Sequence, residues 1–469
     1  MLFNSLQFIL FFIIVTLSYF TLPHRYRWLL LLLASCFFYM SFIPVYILIL
    51  GFTIVVDYIA GIMIEKSEGH ARRLFLIMSL IANIGVLAVF KYYNFLFNNI
   101  TAIVGSFHLS NPLPALKIIL PIGLSFHTFQ AMSYTIEVYR GNHKAERHFG
   151  IYALYVMFYP QLVAGPIERP QNLLHQFREI HTFDFHRFKD GFTLIAFGLF
   201  KKVVIADRLS MAVDYSYNNI TTQSGLSLII ATFFYAFQIY CDFSGYSDIA
   251  IGTAKVMGFK LMDNFHTPYF SESIAEFWRR WHISLSSWFR DYLYFSLGGS
   301  RVSIPRWFLN LFIVFVISGL WHGANYTFII WGAIHGLLLI LANIKNLALK
   351  KLNWNIPQNI FISYLNVLIT FSFVCLAWVF FRATNMENAW LVLGKISHFS
   401  FHDTVSLCFY RYELIFCFLL IVLLCLKEKY WFTLNVSRHW KFYAINAIIL
   451  FSCYFFGVFN LKQFIYFQF

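Results

Sequence analysis

The sequence predicts an all-α polytopic membrane protein with about 11–12 transmembrane helices, plus re-entrant and interfacial helices. Three observations lead there. Hydrophobic residues make up 59% of the 469 and charged residues only 12%, more apolar surface than a water-soluble domain can cover. Apolar runs near the ~20 residues that cross a ~30 Å hydrocarbon core recur along the whole chain. Between them Lys and Arg gather in short clusters, as positive-inside topology requires. The formal net charge of +14 therefore implies a membrane surface rather than nucleic acid.

The first run, 2–20, has no basic stretch before it and reads as an uncleaved span. Runs near 28–43, 44–63, 74–96 and 116–138 follow. "PHRYR" (23–27), "EKSEGHARR" (65–73) and "YRGNHKAER" (139–147) are basic and expected in the cytoplasm. "NNITAIVGSFHLSNPLP" (98–114) is uncharged and expected outside, which makes the N-terminus periplasmic. Further runs lie near 191–212, 225–243, 307–321, 326–343, 359–381, 407–426 and 442–460.

Two stretches fit no simple span. "IYALYVMFYPQLVAGPIERP" (151–170) is apolar but broken by Pro160, Gly165 and Pro166. Irregular backbone survives at membrane depth only under a cover of protein or beside a water-filled cavity, so a re-entrant segment is expected, pinned by a Glu168–Arg169 pair. Residues 271–301, rich in Trp, Arg and His, read as amphipathic helices on the cytoplasmic face. No repeat or linker interrupts the chain, so 1–469 reads as a single integral-membrane domain with its motif core at about 119–343. The seven cysteines are scattered without C-x-x-C, which argues against a zinc site or a disulfide framework, and no metal is expected.

"SGLWHGANYTFIIWGAIHG" (318–336) carries two histidines thirteen residues apart in an apolar run. On one unbroken helix His322 and His335 would sit ~20 Å apart on nearly opposite faces. Gly323 and Asn325 instead suit a tight reversal after His322. The reversal returns the chain to the side of Arg306 and Lys345. An arm from Trp307 to Trp321 spans only ~22 Å, which would leave His322 inside the slab at the floor of a cavity. An ionisable group at that depth is a functional candidate. His335 either lines the same cavity or hydrogen-bonds a neighbouring helix.

Five ordered blocks give the chain a resemblance: "ILPIGLSFHTFQAMSYTIEVYRG" (119–141), "FYPQLVAGPIERP" (158–170), "CDFSGYSDIAIGTAKVMG" (241–258), "FWRRWHISLSSWFRDYLYFSLGGSR" (277–301) and "WHGANYTFIIWGAIHG" (321–336). Together they resemble the membrane-bound O-acyltransferase family, in its bacterial branch that exports acyl groups for cell-envelope polymers. The resemblance implies a ring of tilted helices around a central tunnel linking a cytoplasmic donor site to an outer acceptor funnel. It implies catalytic roles for His322 and, in the R-W-H-x-S block, for His282. It also implies an acetyl transfer across the bacterial inner membrane to a periplasmic polysaccharide, peptidoglycan being favoured slightly over alginate or another exopolysaccharide. A periplasmic esterase-like acetyltransferase with a reactive hydroxyl would be the partner. No bound cofactor is expected; acetyl-CoA, or another acyl thioester, would be the donor substrate.

The residue chemistry fits. Transfer from a thioester to a hydroxyl needs a base for the hydroxyl proton and stabilisation of the oxyanion, and imidazole suits the first task. Tunnel or substrate-binding candidates are His335, Trp321, Asn325, Trp281, Ser284, Asp242 and Gln161. Arg279, Arg280, Arg290 and Arg301 are candidates to hold donor phosphates, or are headgroup-facing charges. Asp242 and Asp248 are expected to pair with basic residues, and Lys201 and Lys202 either attract an anionic donor or mark the inner boundary. Two alternatives remain: a membrane haem protein using His127, His322 and His335, and a transporter or flippase of polymer precursors.

Overall fold

A computed structural model describes the chain apart from residues 112, 115, 117–120, 354–358, 460–463 and 466–469. The start of the run at 116–138, residues 119–120 of the first motif block, residue 112 of the uncharged loop and the end of the last run therefore lie outside the described residues. No strand occurs among the described residues.

In chain order the helices are α1 (Leu6–Thr21), α2 (His24–Met40), α3 (Ile47–Lys66), α4 (Gly69–Leu87), α5 (Tyr93–Ser106), α6 (Leu124–Arg140), α7 (Phe149–Met157), α8 (Pro170–Leu173), α9 (Phe185–Phe200), α10 (Asp207–Asn218), α11 (Gly225–Met257), α12 (Ile274–Arg280), α13 (Ile283–Trp288), α14 (Ile304–His322), α15 (Tyr326–Lys351), α16 (Ile360–Arg382), α17 (Met386–Ser397), α18 (Arg411–Tyr430) and α19 (His439–Phe456). Each apolar run of the sequence contains helix among its described residues. Among the described residues six helical stretches are long and apolar enough to cross a membrane: Pro44–Lys66, Gly69–Ser106, Gly225–Met257, Ile304–His322, Tyr326–Lys351 and Ile360–Arg382. The larger sequence count also took in shorter or more polar helices. One is α2, which opens on His24, Arg25 and Arg27; another is α6, which carries His127, Gln130 and Glu137.

The helices form two compact units, residues 1–195 with 249–262 and residues 196–248 with 263–469. In the first, α3, α4 and α6 meet around a buried polar knot. Ser79 Oγ donates to Asp57 Oδ1 at 2.6 Å and Asn83 Nδ2 to the same carboxylate at 2.9 Å, which satisfies a group that apolar surroundings would otherwise penalise. Two of the basic loops assigned to one face lie together: Arg72 Nη2 donates to the Tyr139 carbonyl at 2.7 Å, and Arg147 pairs with Glu65.

The predicted re-entrant stretch is α7 followed by irregular backbone, and every residue from 151 to 168 is buried. Protein therefore covers it, as the physics demands. Backbone contacts help to hold it. Glu168 accepts from the Met262 backbone N–H at 2.5 Å, while Arg169 Nη1 donates to the Ile167 carbonyl at 3.3 Å.

In the second unit the segment 271–301 is helical in short pieces. It is two short helices, of seven and six residues, broken at Trp281–His282 and followed by a π-turn at Phe289–Tyr294. Its tryptophans face inward: Trp278, Trp281 and Trp288 are all buried. Burying so much ring area outweighs the interfacial position that Trp favours on its own.

Candidate active site

The site is built on the α14–α15 hairpin. Helix α14 ends at His322, Gly323 is extended, and Asn325 caps α15, its Oδ1 accepting from the Thr327 N–H at 3.1 Å. Asn325 Nδ2 also donates to the Thr384 carbonyl at 2.9 Å, so the amide fastens the turn. The expected reversal is therefore present. The two helices touch along their backbones: a Cβ on Gly319 would lie 2.2 Å from the Phe328 carbonyl oxygen, and one on Gly332 2.2 Å from that of Phe315. Only glycine permits that approach, a known device of intramembrane helix pairs.

The expected short arm is not observed. Pro305 in the first turn lets α14 start at Ile304, and 19 residues reach about 28 Å, nearly the core thickness. His322 sits at the far end of a nearly full-length helix. The residue is 3% exposed, and its ring lies edge-on to Trp321, Trp331 and Phe381 at centroid distances of 4.9, 5.1 and 5.2 Å.

His335 stands one turn beyond Trp331 on α15, with ring centroids 5.0 Å apart. Trp278 Nε1 donates to its Nδ1 at 3.3 Å. The neighbouring-helix hydrogen bond weighed from sequence is thus present, and it fixes the tautomer: in the neutral ring Nε2 carries the proton.

His282 is held differently. It adopts a left-handed conformation, φ 43°, between α12 and α13, at a cost of roughly 1–2 kcal/mol for a residue with a Cβ. Asn264 supports it there. The Asn264 carbonyl accepts from Ile283 N–H at 2.9 Å, and its Oδ1 accepts from His282 Nδ1 at 3.0 Å and Ser284 Oγ at 2.9 Å. Asn264 Nδ2 donates to Ser247 Oγ at 3.2 Å. Nδ1 is therefore the protonated nitrogen and Nε2 holds the lone pair. Burial pushes the His282 pKa down to about 3, so the ring is neutral at ordinary pH. Trp321 lies between the two histidines of the motif blocks, 6.5 Å from His282 and 4.9 Å from His322.

The other candidates are placed as follows. Trp281 is buried against Trp378 at 5.1 Å and Phe277 at 5.5 Å. Asp242 is in an ion pair, as its charge suggested: Lys202 Nζ lies 2.5 Å from Asp242 Oδ1 and 2.8 Å from Asp207 Oδ1, and Ile465 N–H donates to Asp242 Oδ2 at 2.6 Å. Lys201 pairs with Asp248 at 2.5 Å. Both lysines are buried and engaged by acids. Arg280 is bound to Glu276 at 2.6 Å and Arg290 to Asp291 at 2.8 Å, while Arg279 and Arg301 are exposed. Gln161 belongs to the first unit, where its Nε2 donates to the Tyr155 carbonyl at 3.1 Å.

Sequence reasoning missed Asn264, Trp331, Trp378 and Phe381. Trp331 had a signal: it precedes His335 by four residues and so shares its helix face. Asn264 had none, because its role depends on a loop folding onto a segment eighteen residues later.

Comparison with known proteins adds an independent line. The model of the membrane-bound O-acyltransferase family matches residues 144–381. The chain is 42% identical over 401 residues to a probable alginate O-acetylase of Pseudomonas aeruginosa, covering 83% of this chain and 74% of that one. It is 38% identical over 405 residues to the peptidoglycan O-acetyltransferase of Helicobacter pylori, covering 81% and 74%. A teichoic acid D-alanyltransferase of Bacillus subtilis is 28% identical over 292 residues, covering 58% and 72%.

Proposed function

The chain belongs to the membrane-bound O-acyltransferase family and is a membrane O-acetyltransferase; from that premise we propose that it takes an acetyl group from a cytoplasmic thioester and delivers it across the bacterial inner membrane to a cell-envelope polysaccharide. An acyltransferase assignment leaves no place for the haem or flippase alternatives. The observation that carries the reading is the position of His322. It lies at the end of the hairpin, in one aromatic cluster with Trp321 and Trp331, which bring His282 and His335 around it.

His322 acts as the general base. It takes the proton of the acceptor hydroxyl as the oxygen attacks the thioester carbonyl, and returns it to the departing thiolate when the tetrahedral intermediate collapses. The products are an ester and a free thiol. His282, fixed by Asn264 with its lone pair on Nε2, positions the cluster through Trp321.

The acceptor hydroxyl belongs to a periplasmic esterase-like acetyltransferase that passes the acetyl group on to the polymer. Relatives covered to the same extent carry alginate or peptidoglycan in their names, so the polymer is proposed as a polysaccharide of either kind, with peptidoglycan assayed first. The test is mass spectrometry of muropeptides and exopolysaccharide from cells with and without the protein. Loss of O-acetyl groups from either polymer is expected; unchanged acetylation of both would overturn the proposal.

A further inference from the structure

In the first unit Asp57 lies well inside the apolar span Pro44–Lys66 and is 0% exposed. No ion pair to it occurs among the described residues. A lone carboxylate at that depth is costly, because neither water nor a cation offsets its charge. Ser79, Asn83 and Thr135 surround it, each 0% exposed as well.

The hydrogens of this knot can be counted. Three links join four oxygens in a row: Asp57 Oδ1 with Ser79 Oγ at 2.6 Å, Ser79 Oγ with Thr135 Oγ1 at 3.1 Å, and Thr135 Oγ1 with the Met132 carbonyl at 3.2 Å. Each link needs one hydrogen, and the two hydroxyls bring only two. A carbonyl can only accept, so Thr135 donates to Met132 and Ser79 donates to Thr135. The hydrogen of the first link then belongs to Asp57 rather than to Ser79. Asn83 fits the same arrangement: its Nδ2 donates to Asp57 Oδ2 at 2.9 Å and to the Ser79 carbonyl at 3.0 Å, and neither bond needs a charged carboxyl. With an ionised Asp57, Ser79 must turn its hydrogen to the carboxylate, and one of the three links stays unmade.

We propose that Asp57 is a proton-binding site: one proton from water sits on Oδ1, neutralises the carboxyl inside the membrane and closes a chain from Asp57 through Ser79 and Thr135 that clasps α3, α4 and α6. One O–H bond forms, on Asp57, and no other group changes charge. A proton needs no cavity, so the close packing of the knot suits it. Loss of that proton reverses the Ser79 hydroxyl and opens one link of the clasp. The site is separate from the acyl transfer proposed above and does not rest on it.

Among the described residues no charged side chain competes for the site. Of the helices packed against α3, α4 presents Ser79 and Asn83, α6 presents Thr135, and α7 brings the buried Tyr152 phenol within the field of the carboxyl. The basic residues of α2 and α4 cluster where those helices begin, where Arg27 donates to the His181 carbonyl at 2.6 Å and Arg72 to that of Tyr139 at 2.7 Å. Glu65 is paired with Arg147, and Glu137 with Arg140 at 3.7 Å. His127 and Lys91 stand about 12 Å along the chain's helical path from Thr135 and Asn83.

The test is infrared spectroscopy of the full-length protein in lipid nanodiscs at pH 7, for wild type, Asp57→Asn and Ser79→Ala. Wild type minus Asp57→Asn should show the carbonyl stretch of one protonated carboxylic acid; carboxylate stretches in its place overturn the proposal. Ser79→Ala keeps the acid but removes its acceptor, so the same band should move to higher frequency. That comparison also decides the matter if Asp57→Asn does not insert, since an unchanged carbonyl region in Ser79→Ala overturns the proposal. Asparagine mimics the neutral acid, N–H for O–H, so Asp57→Asn should melt within about 2 °C of wild type. A fall of more than about 5 °C would mean that the charge itself is required, as for a bound metal ion, and overturns the proposal too.

Discussion

Replacing Gly332 by alanine tests whether the hairpin positions the site. A Cβ at that position falls 2.2 Å from the Phe315 carbonyl oxygen and 3.2 Å from the Gly319 Cα. Ordinary contact begins near 3.4 Å, so α15 must retreat from α14 by about 1.2 Å, because both obstacles are backbone. Overpacking of that kind costs about 1–3 kcal/mol. The catalytic cost is larger in proportion. Trp331 and His335 ride on α15 while His322 rides on α14, and a misplacement of about 1 Å between reacting groups costs ~10²-fold in rate. Gly332→Ala should therefore lose ~10²-fold in acetyl transfer while remaining inserted and folded, read by single-turnover kinetics and by thermal unfolding of the purified protein. Gly85→Ala in α4, where an added Cβ meets nothing within 4 Å, is the matched control and should transfer at the wild-type rate. Transfer by Gly332→Ala within 2-fold of wild type would refute the claim that this crossing sets the site.

Two further outcomes follow from buried polar groups. Lys202→Met should destabilise by about 3–5 kcal/mol, because it removes the cation that the buried Asp242 and Asp207 share, and Lys202→Met/Asp242→Asn should recover part of that loss in thermal unfolding. His282 is neutral in the fold, its pKa held near 3, against about 6.5 unfolded. The unfolded chain therefore binds the extra proton between those values, and the contribution of His282 is complete above about pH 6.5 and lost as pH falls toward 3. Melting temperatures from pH 7 to pH 4 should fall more steeply for wild type than for His282→Gln; equal slopes would contradict the assignment.

What the sequence made legible was whatever local chemistry decides. Helices could be placed because apolar runs of sufficient length have few alternatives in lipid, and the reversal after His322 because Gly323 and Asn325 suit a turn and a cap. The buried stretch at 151–168 was legible through its prolines and its apolar run, uncharged up to Glu168. Partner identity was not. That Asp242 would meet a lysine followed from the cost of burying a lone carboxylate, but the choice of Lys202 depends on how α11 packs against the turn at Lys201–Ala206. The arm leading to His322 is longer than expected because it was counted from Trp307, whereas Pro305 starts the helix earlier. The orientation of His282 lay beyond local reasoning, since Asn264, distant in sequence, imposes its left-handed backbone.

The claim on which all of this turns is that the His322 imidazole removes the acceptor proton. Wild type and His322→Ala, inserted to equal levels in proteoliposomes, should be given labelled acetyl-CoA on one side and the hydroxyl acceptor on the other, and labelled ester counted. A drop of ~10³-fold or more, within the range for losing a general base, is the predicted result. Ester formation by His322→Ala within 10-fold of wild type would contradict it.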